Sequence, residues 1–185
     1  MKIICGKYKN RIIPTVSKFD YRPSTTKFRA ALFSILNSGE FIDLSPVKGA
    51  KVLDLFAGTG CLAFEALSRG AEHITLVDNN RDHLKAAEKF ANNISAADRV
   101  KTIVADATNL SYIPNKYHLV FIDPPYYKNY IQPALNCLLN NGLLESGAII
   151  IVESSKYAQI ILGQAFVLVK EKIYGNNKLL ILQYE

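Results

Sequence analysis

Acid is scarce where this chain begins. Residues 1–30 hold one carboxylate, Asp20, against eight basic side chains, so this segment carries +7 while the rest carries −1 and the whole chain +6. A charge excess so localised points to a polyanionic partner. Cysteine is sparse too: Cys5, Cys61 and Cys137 stand far apart, with neither metal-ligand spacing nor a disulfide framework. Cys61 reads as a small packing residue. His73, His83 and His118 are isolated, so no metal is expected. A reducing cytoplasm is the expected compartment. No apolar run approaches the roughly 18 residues that cross a bilayer, and the start from Met1 to Lys7 lacks the apolar centre of a secretory signal. No membrane contact is expected, and a monomer is. There is no internal repeat and no low-complexity segment. The absence of a Pro-Cys dipeptide argues against cytosine C5 methylation through a cysteine adduct.

What is present is a 185-residue chain with 49% hydrophobic residues, enough for one domain with a modest appendage. From Ala50 onward the pattern alternates between strand and helix. Strands are predicted at 51–56, 74–78, 100–105, 118–122 and 148–153, and helices at about 60–69, 80–94 and 129–140. That is the rhythm of a doubly wound parallel sheet. A short helix is predicted at 156–163, then strands Phe166–Lys172 and Leu179–Gln183 as an edge hairpin about Tyr174-Gly175-Asn176-Asn177. The fold class is therefore α/β, with a mostly parallel seven-stranded sheet. Residues 1–45 form a basic extension and 46–185 the main domain. In the extension, Met1–Cys5 and Arg11–Pro14 pair about a Gly6–Asn10 turn. A helix follows, capped by Ser24 or Thr25 and buried through Phe28, Ala31, Leu32, Ile35 and Leu36, with Lys27 outward.

The stretch Val52-Leu53-Asp54-Leu55-Phe56-Ala57-Gly58-Thr59-Gly60 reads as strand, glycine loop and helix start. Gly58 and Gly60 let a ligand lie against the main chain. The loop would lie at the carboxyl end of a parallel strand, where open α/β sheets bind ligands. The glycines also satisfy a relaxed dinucleotide fingerprint, with Asp78 near the spacing of a ribose-binding acid. Two features favour S-adenosylmethionine over NAD. Asp54 and Phe56 make a loop that resembles the first motif of Rossmann-like methyltransferases. The downstream Asp123-Pro124-Pro125-Tyr126 has no evident use in a dehydrogenase. Asp78 would accept from ribose hydroxyls and Asp106 from an adenine amine, with neighbouring Asn79 and Ala107 in the same site. Helix capping is the rival role for both acids. Asp54 would order the loop or face an amino group, and Phe56 is either part of that site or core.

Asp123 to Tyr126 is the expected reaction centre. An exocyclic amine on a base is a poor nucleophile, because its lone pair is delocalised into the ring. Two acceptors on a stiff turn, the Asp123 carboxylate and the Pro124 carbonyl, would hold both N–H groups so that the lone pair faces a methyl donor. Pro125 stiffens the turn, and Tyr126 would stack on a flipped base. At the front of the chain, Lys7, Lys9 and Arg11 would form a basic hairpin tip. Tyr8, Phe19, Tyr21 and Phe28 lie among the cations there, as stacking faces do in nucleic-acid sites.

Gly6-x-x-Lys9-x-Arg11 with Pro14, Arg22-Pro23-Ser24-Thr25, Arg29 before Leu32-Phe33, the Asp54-to-Gly60 loop and Glu65 to Ala71 together resemble the RsmD family. The resemblance spans nearly the whole chain. It implies S-adenosylmethionine-dependent methylation of a guanine N2 in small-subunit ribosomal RNA. It also implies cofactor contacts at Gly58, Gly60, Asp78 and Asp106, catalysis at Asp123 to Tyr126, and Arg22 and Arg29 near substrate or cofactor. Those two arginines join Lys7, Lys9 and Arg11 as candidate nucleic-acid contacts. The chain departs from the family at Asn10, usually Gly, and at Thr26 and Ala30, where carboxylates are usual. The rival readings are an adenine-N6 methyltransferase on DNA and an inactive nucleic-acid-binding module.

Overall fold

The structure, a computed structural model, describes residues 1–15, 26–38, 45–111, 113–125 and 129–185. Arg22, Tyr126 and the expected caps Ser24 and Thr25 lie outside the described residues. The elements run α1 (Thr26–Leu36), β1 (Lys51–Leu55), α2 (Cys61–Ser68), β2 (His73–Asp78), α3 (Arg81–Asn93), β3 (Val100–Val104), β4 (Tyr117–Ile122), α4 (Ile131–Asn140), β5 (Leu144–Ser155), β6 (Phe166–Tyr174) and β7 (Asn177–Tyr184). One 3-10 turn, Ala97–Arg99, leads into β3.

The sheet order is β3-β2-β1-β4-β5-β7-β6. Neighbouring pairs from β3 to β5 are parallel, and β7 is antiparallel to both β5 and β6. The expected seven-stranded, mostly parallel architecture is therefore present. Its strand order reverses beside β1, between the β2 and β4 sides, which is where such sheets open a ligand crevice.

Both faces of the sheet are covered. One apolar cluster joins α1, α2 and α3 to the sheet through Leu32, Phe33, Ala63, Phe64, Leu84 and Phe90. The other packs α4 residues Ala134, Leu135 and Leu138 against Leu53, Leu55, Val120 and Ile122. Strand residues alternate between the two clusters because side chains alternate across a pleated sheet. The basic extension shares the first cluster through Ile3, Tyr8, Ile13 and Phe28. Leu32, Phe33 and Leu36 of α1 are fully buried, each stabilising the docked helix by roughly 1.5–3 kcal/mol.

The front hairpin is shorter than expected. It is one antiparallel bridge, Lys2 to Ile12. The backbone N–H of Ile3 donates to the Arg11 carbonyl at 3.0 Å, and that of Asn10 to the Ile3 carbonyl at 3.0 Å. Asn10 holds the positive φ of 71° that the turn needs; Asn tolerates that region better than most side chains do.

The helix expected at 156–163 is absent: Lys156 and Tyr157 form a turn, and the chain from Ala158 to Gly163 is irregular. Ala158, Ile160 and Leu162 are half-buried and alternate with exposed Gln159 and Ile161, a period of two. Ile161 N–H also donates to the Gln132 side chain at 3.2 Å, and Lys156 N–H to the Asn176 carbonyl at 2.9 Å, so these donors are spent outside a helix. Strand β5 begins earlier than predicted, at Leu144, with Gly147 at φ 77° next to the register shift against β4.

Candidate active site

Register determines what meets at the rim. Leu55 at the end of β1 aligns with Val77 of β2 and Ile122 of β4. The next residues of the three strands, Phe56, Asp78 and Asp123, therefore emerge side by side, about 4.8 Å from strand to strand. The glycine loop and the Asp-Pro-Pro turn thus leave neighbouring strands at the crevice. Within that turn Asp123 is half-buried, Pro124 buried and Pro125 exposed.

The loop is tied down on its β2 side. Gly58 N–H donates to one Asp78 oxygen at 2.7 Å, and Ala57 N–H to the Val77 carbonyl at 2.9 Å. The other Asp78 oxygen accepts from Asn80 N–H at 2.8 Å and lies 3.5 Å from the His83 ring. Asp78 therefore orders the loop through one oxygen and the approach to α3 through the other, and the loop-side oxygen has a second lone pair for a ligand hydroxyl. The cap of α3 is Asn80, whose side chain accepts from Asp82 and His83 N–H. Asn79 is exposed beside it.

Gly60 stands at the N-terminus of α2 at φ 80°. A Cβ there would lie 2.9 Å from Leu76 and 3.0 Å from Phe64, so both its conformation and its packing demand glycine. Gly60 has no side chain to cap α2. Asp54, fully enclosed inside β1, does so instead, accepting from Ala63 N–H at 3.3 Å. Beside it Thr59 is buried, and its hydroxyl has no hydrogen-bond partner among the described residues. Positive φ at Gly58, orphaned Thr59 and the Asp78 carboxylate suit a ligand that lies against the backbone here and is hydroxylated towards β2.

Burial pushes the Asp54 carboxyl well above the ordinary carboxylate range, and the charges of Asp123 and Asp78 push it further, against the Ala63 N–H. A raised folded-state value means stability is fully present below the unfolded-state value and is lost as pH rises through the folded one. Wild type should therefore lose thermal stability relative to Asp54→Asn as pH climbs above about 4. Melting curves of both proteins across a pH series measure this; parallel curves would show that Asp54 carries no such proton. Cys61, next along, has its thiol pushed up to about 12 by burial, so it is not a thiolate nucleophile.

At β3 the chain turns immediately after the strand. Asp106 is exposed and accepts from both the backbone N–H and the hydroxyl of Thr108, at 2.8 and 2.7 Å, and the hydroxyl bond in first place holds its carboxyl below the usual range. It caps a turn, not a helix. Ala107 is buried in the α4-side cluster.

The basic residues divide. Lys7, Lys9 and Arg11 are exposed, as expected of nucleic-acid contacts. Arg29 corrects the expectation of a surface contact: it is 1% exposed. Its guanidinium donates to the Lys2 carbonyl at 3.1 Å and lies 3.9 Å from Glu65. A cation enclosed in this way joins α1 to the hairpin and α2, and does not reach a phosphate backbone. Glu65, which residue patterning did not single out for a role, accepts from Ile4 N–H at 2.8 Å, Cys5 N–H at 3.1 Å and Arg69 at 2.7 Å. Ser68 accepts from Tyr8 N–H at 2.9 Å. A lone carboxylate in the apolar run Cys61–Leu67 was the available signal. The hairpin tip thus lies along the far end of α2, about 10 Å down the helix from the glycine loop.

A family model described as "Conserved hypothetical protein 95" matches residues 1–183. An uncharacterized methylase of Rickettsia prowazekii is 38% identical over 100% of this chain and 98% of its own length. The ribosomal RNA small subunit methyltransferase D of Escherichia coli is 32% identical, covering 83% of this chain and 74% of its own. Among solved structures, the putative methyltransferase yhhF from Escherichia coli superposes with a TM-score of 0.86 at 28% identity, covering 100% of this chain and 98% of that one.

Proposed function

Because this chain belongs to the conserved hypothetical protein 95 family, the RsmD-type methyltransferases, we propose that it methylates a guanine N2 in small-subunit ribosomal RNA, with S-adenosylmethionine as donor. The observation that carries the reading is the register: Phe56 and Asp123, one residue past the paired Leu55 and Ile122, bring the glycine loop and the acceptor turn to one point on the rim.

When bound, S-adenosylmethionine supplies an electrophilic methyl group. Gly58 and Gly60 would admit it against the backbone, and Asp78 and Asp106 would accept from its ribose and adenine ends. Asn79 and Ala107 flank those acids, and Thr59 adds a buried hydroxyl. Asp78 and Asp123, the acids beside the buried Asp54, would favour a cation at this point. Asp123 and the Pro124 carbonyl accept the two N–H bonds of the guanine amine and aim its lone pair at the donor. Pro125 keeps the turn stiff, and Tyr126 stacks on the base. The N–C bond would form as the donor's S–C bond breaks, its electron pair staying on sulfur in S-adenosylhomocysteine; the amine would lose one proton, with Asp123 to receive it late. Positioning supplies most of the rate.

Lys7, Lys9, Arg11 and Arg22 hold RNA phosphates. The tip lies down α2 from the rim, so its cations grip RNA away from the target base. Neutralising Lys7, Lys9 and Arg11 together should lower the slope of log affinity against log salt by about 2 for single-stranded RNA. The rate at saturating RNA should stay unchanged. Salt titrations of binding check this, and an unchanged slope contradicts it. The cytoplasm is the proposed location and a monomer the proposed state. Nucleoside analysis of ribosomal RNA from cells with and without the protein tests the reading; N6-methyladenosine in place of N2-methylguanosine would select the adenine rival.

A further inference from the structure

Phe56 is a bulky residue held at φ 65°, in the left-handed region that such side chains rarely occupy. The consequence lies in where its ring goes. Along β1, Val52 packs on the side of α1, α2 and α3, whereas Leu53 and Leu55 pack on the side of α4. Alternation would return Phe56 to the Val52 side. The left-handed backbone instead turns it to the α4 side, where it packs against that cluster. There it stacks on Tyr130, with ring centroids 5.6 Å apart and planes 22° from parallel.

Tyr130 immediately precedes α4 and follows the acceptor turn along the chain. The chain is therefore held on either side of the turn. The turn's first residue follows Ile122, which pairs with Leu55. Further along the chain is Tyr130, whose ring lies on Phe56, the residue that opens the glycine loop. Both residues are half-buried, so the stack is not an interior packing contact alone.

We propose that the Phe56–Tyr130 stack is an aromatic latch that fixes the acceptor turn against the glycine loop, making Tyr130 a positioning residue for methyl transfer. The proposal rests on the methyltransferase reading above. The latch touches neither reacting atom. It holds the distance between the two turns, and transfer between bound groups is sensitive to misplacement on the ångström scale.

The test is single-turnover transfer of a labelled methyl group from S-adenosylmethionine to small subunits from cells lacking this protein. Wild type is compared with Tyr130→Leu, Tyr130→Phe, Phe56→Leu and the double Leu variant. Both single Leu variants should slow the step about 10- to 100-fold at saturating substrates. In the Tyr130 variants, S-adenosylhomocysteine affinity by calorimetry and the KM for subunits should stay unchanged. Tyr130→Phe, which keeps the ring, should restore the rate. The double variant should be no slower than the slower single one, because either change opens the same latch. A wild-type rate in Tyr130→Leu, a rate loss matched by lost cofactor affinity, or no rescue by phenylalanine would overturn the latch alone. No methyl transfer by wild type would overturn the functional reading, and the latch with it.

Discussion

Asp123→Ala is expected to lower methyl transfer by about two to three orders of magnitude, the scale on which one preorganised polar contact acts in other active sites. The affinity for S-adenosylhomocysteine should stay the same. The reason is spatial. Asp123 leaves β4, whereas the groups that hold the cofactor loop leave β1 and β2: Gly58 is bonded to Asp78, and Ala63 to Asp54. Removing the Asp123 carboxylate strips an acceptor from the amine and leaves the Gly58–Asp78 and Ala63–Asp54 bonds in place. It also removes a negative charge that raises the Asp54 carboxyl, so Asp54 should ionise at lower pH in the variant. Single-turnover rates and calorimetry on the same preparations check the pair of expectations. Equal losses of rate and affinity would mean that Asp123 serves the cofactor.

Glu65→Ala should be the most damaging change to the fold among the residues discussed. Its carboxylate is fully buried and accepts from Ile4 N–H, Cys5 N–H and Arg69, with Arg29 at 3.9 Å. Deleting it leaves Arg29 enclosed without its counter-charge and two backbone donors without partners. Breaking a buried pair from one side costs about 3–5 kcal/mol, which is a fall of roughly 10 °C in Tm for a chain of this size. Replacing Glu65 by Gln keeps an acceptor but loses the charge, so it should fall between wild type and Ala. The Lys7, Lys9 and Arg11 tip depends on the same carboxylate for its position, so RNA affinity should fall in step. Thermal melts and RNA titrations measure both, and a wild-type Tm in the Ala variant would contradict the assignment.

Sequence and structure agree where local patterning is strong. The run Val52–Leu55 followed by Gly58 and Gly60 has one good reading, and the structure has β1, the loop and α2 there. The same holds for the antiparallel strand β7, announced by turn residues Gly175 to Asn177. Patterning failed at 156–163, where Ile160, Ile161 and Leu162 read equally well as a helix face or an irregular edge, and contacts with Gln132 and Asn176 decided between them.

Site residues were legible by type more than by partner. Asp78 was visible as an acid after a strand, but its bond to Gly58, twenty residues earlier, required the sheet register. Arg29 looked like one more cation in a basic segment. Only tertiary packing reveals that it faces Glu65, thirty-six residues on, inside the protein. The Phe56–Tyr130 stack joins residues seventy-four positions apart and depends on a backbone angle that no local pattern encodes.

The most direct measurement follows one methyl group. Small subunits from cells lacking the protein are incubated with purified enzyme and S-adenosylmethionine carrying a deuterated methyl, and the RNA is digested to nucleosides for mass spectrometry. The account predicts labelled N2-methylguanosine with wild type and almost none with Asp123→Ala. Label on any other base or atom, or no label at all from a folded protein that binds S-adenosylhomocysteine, would contradict it.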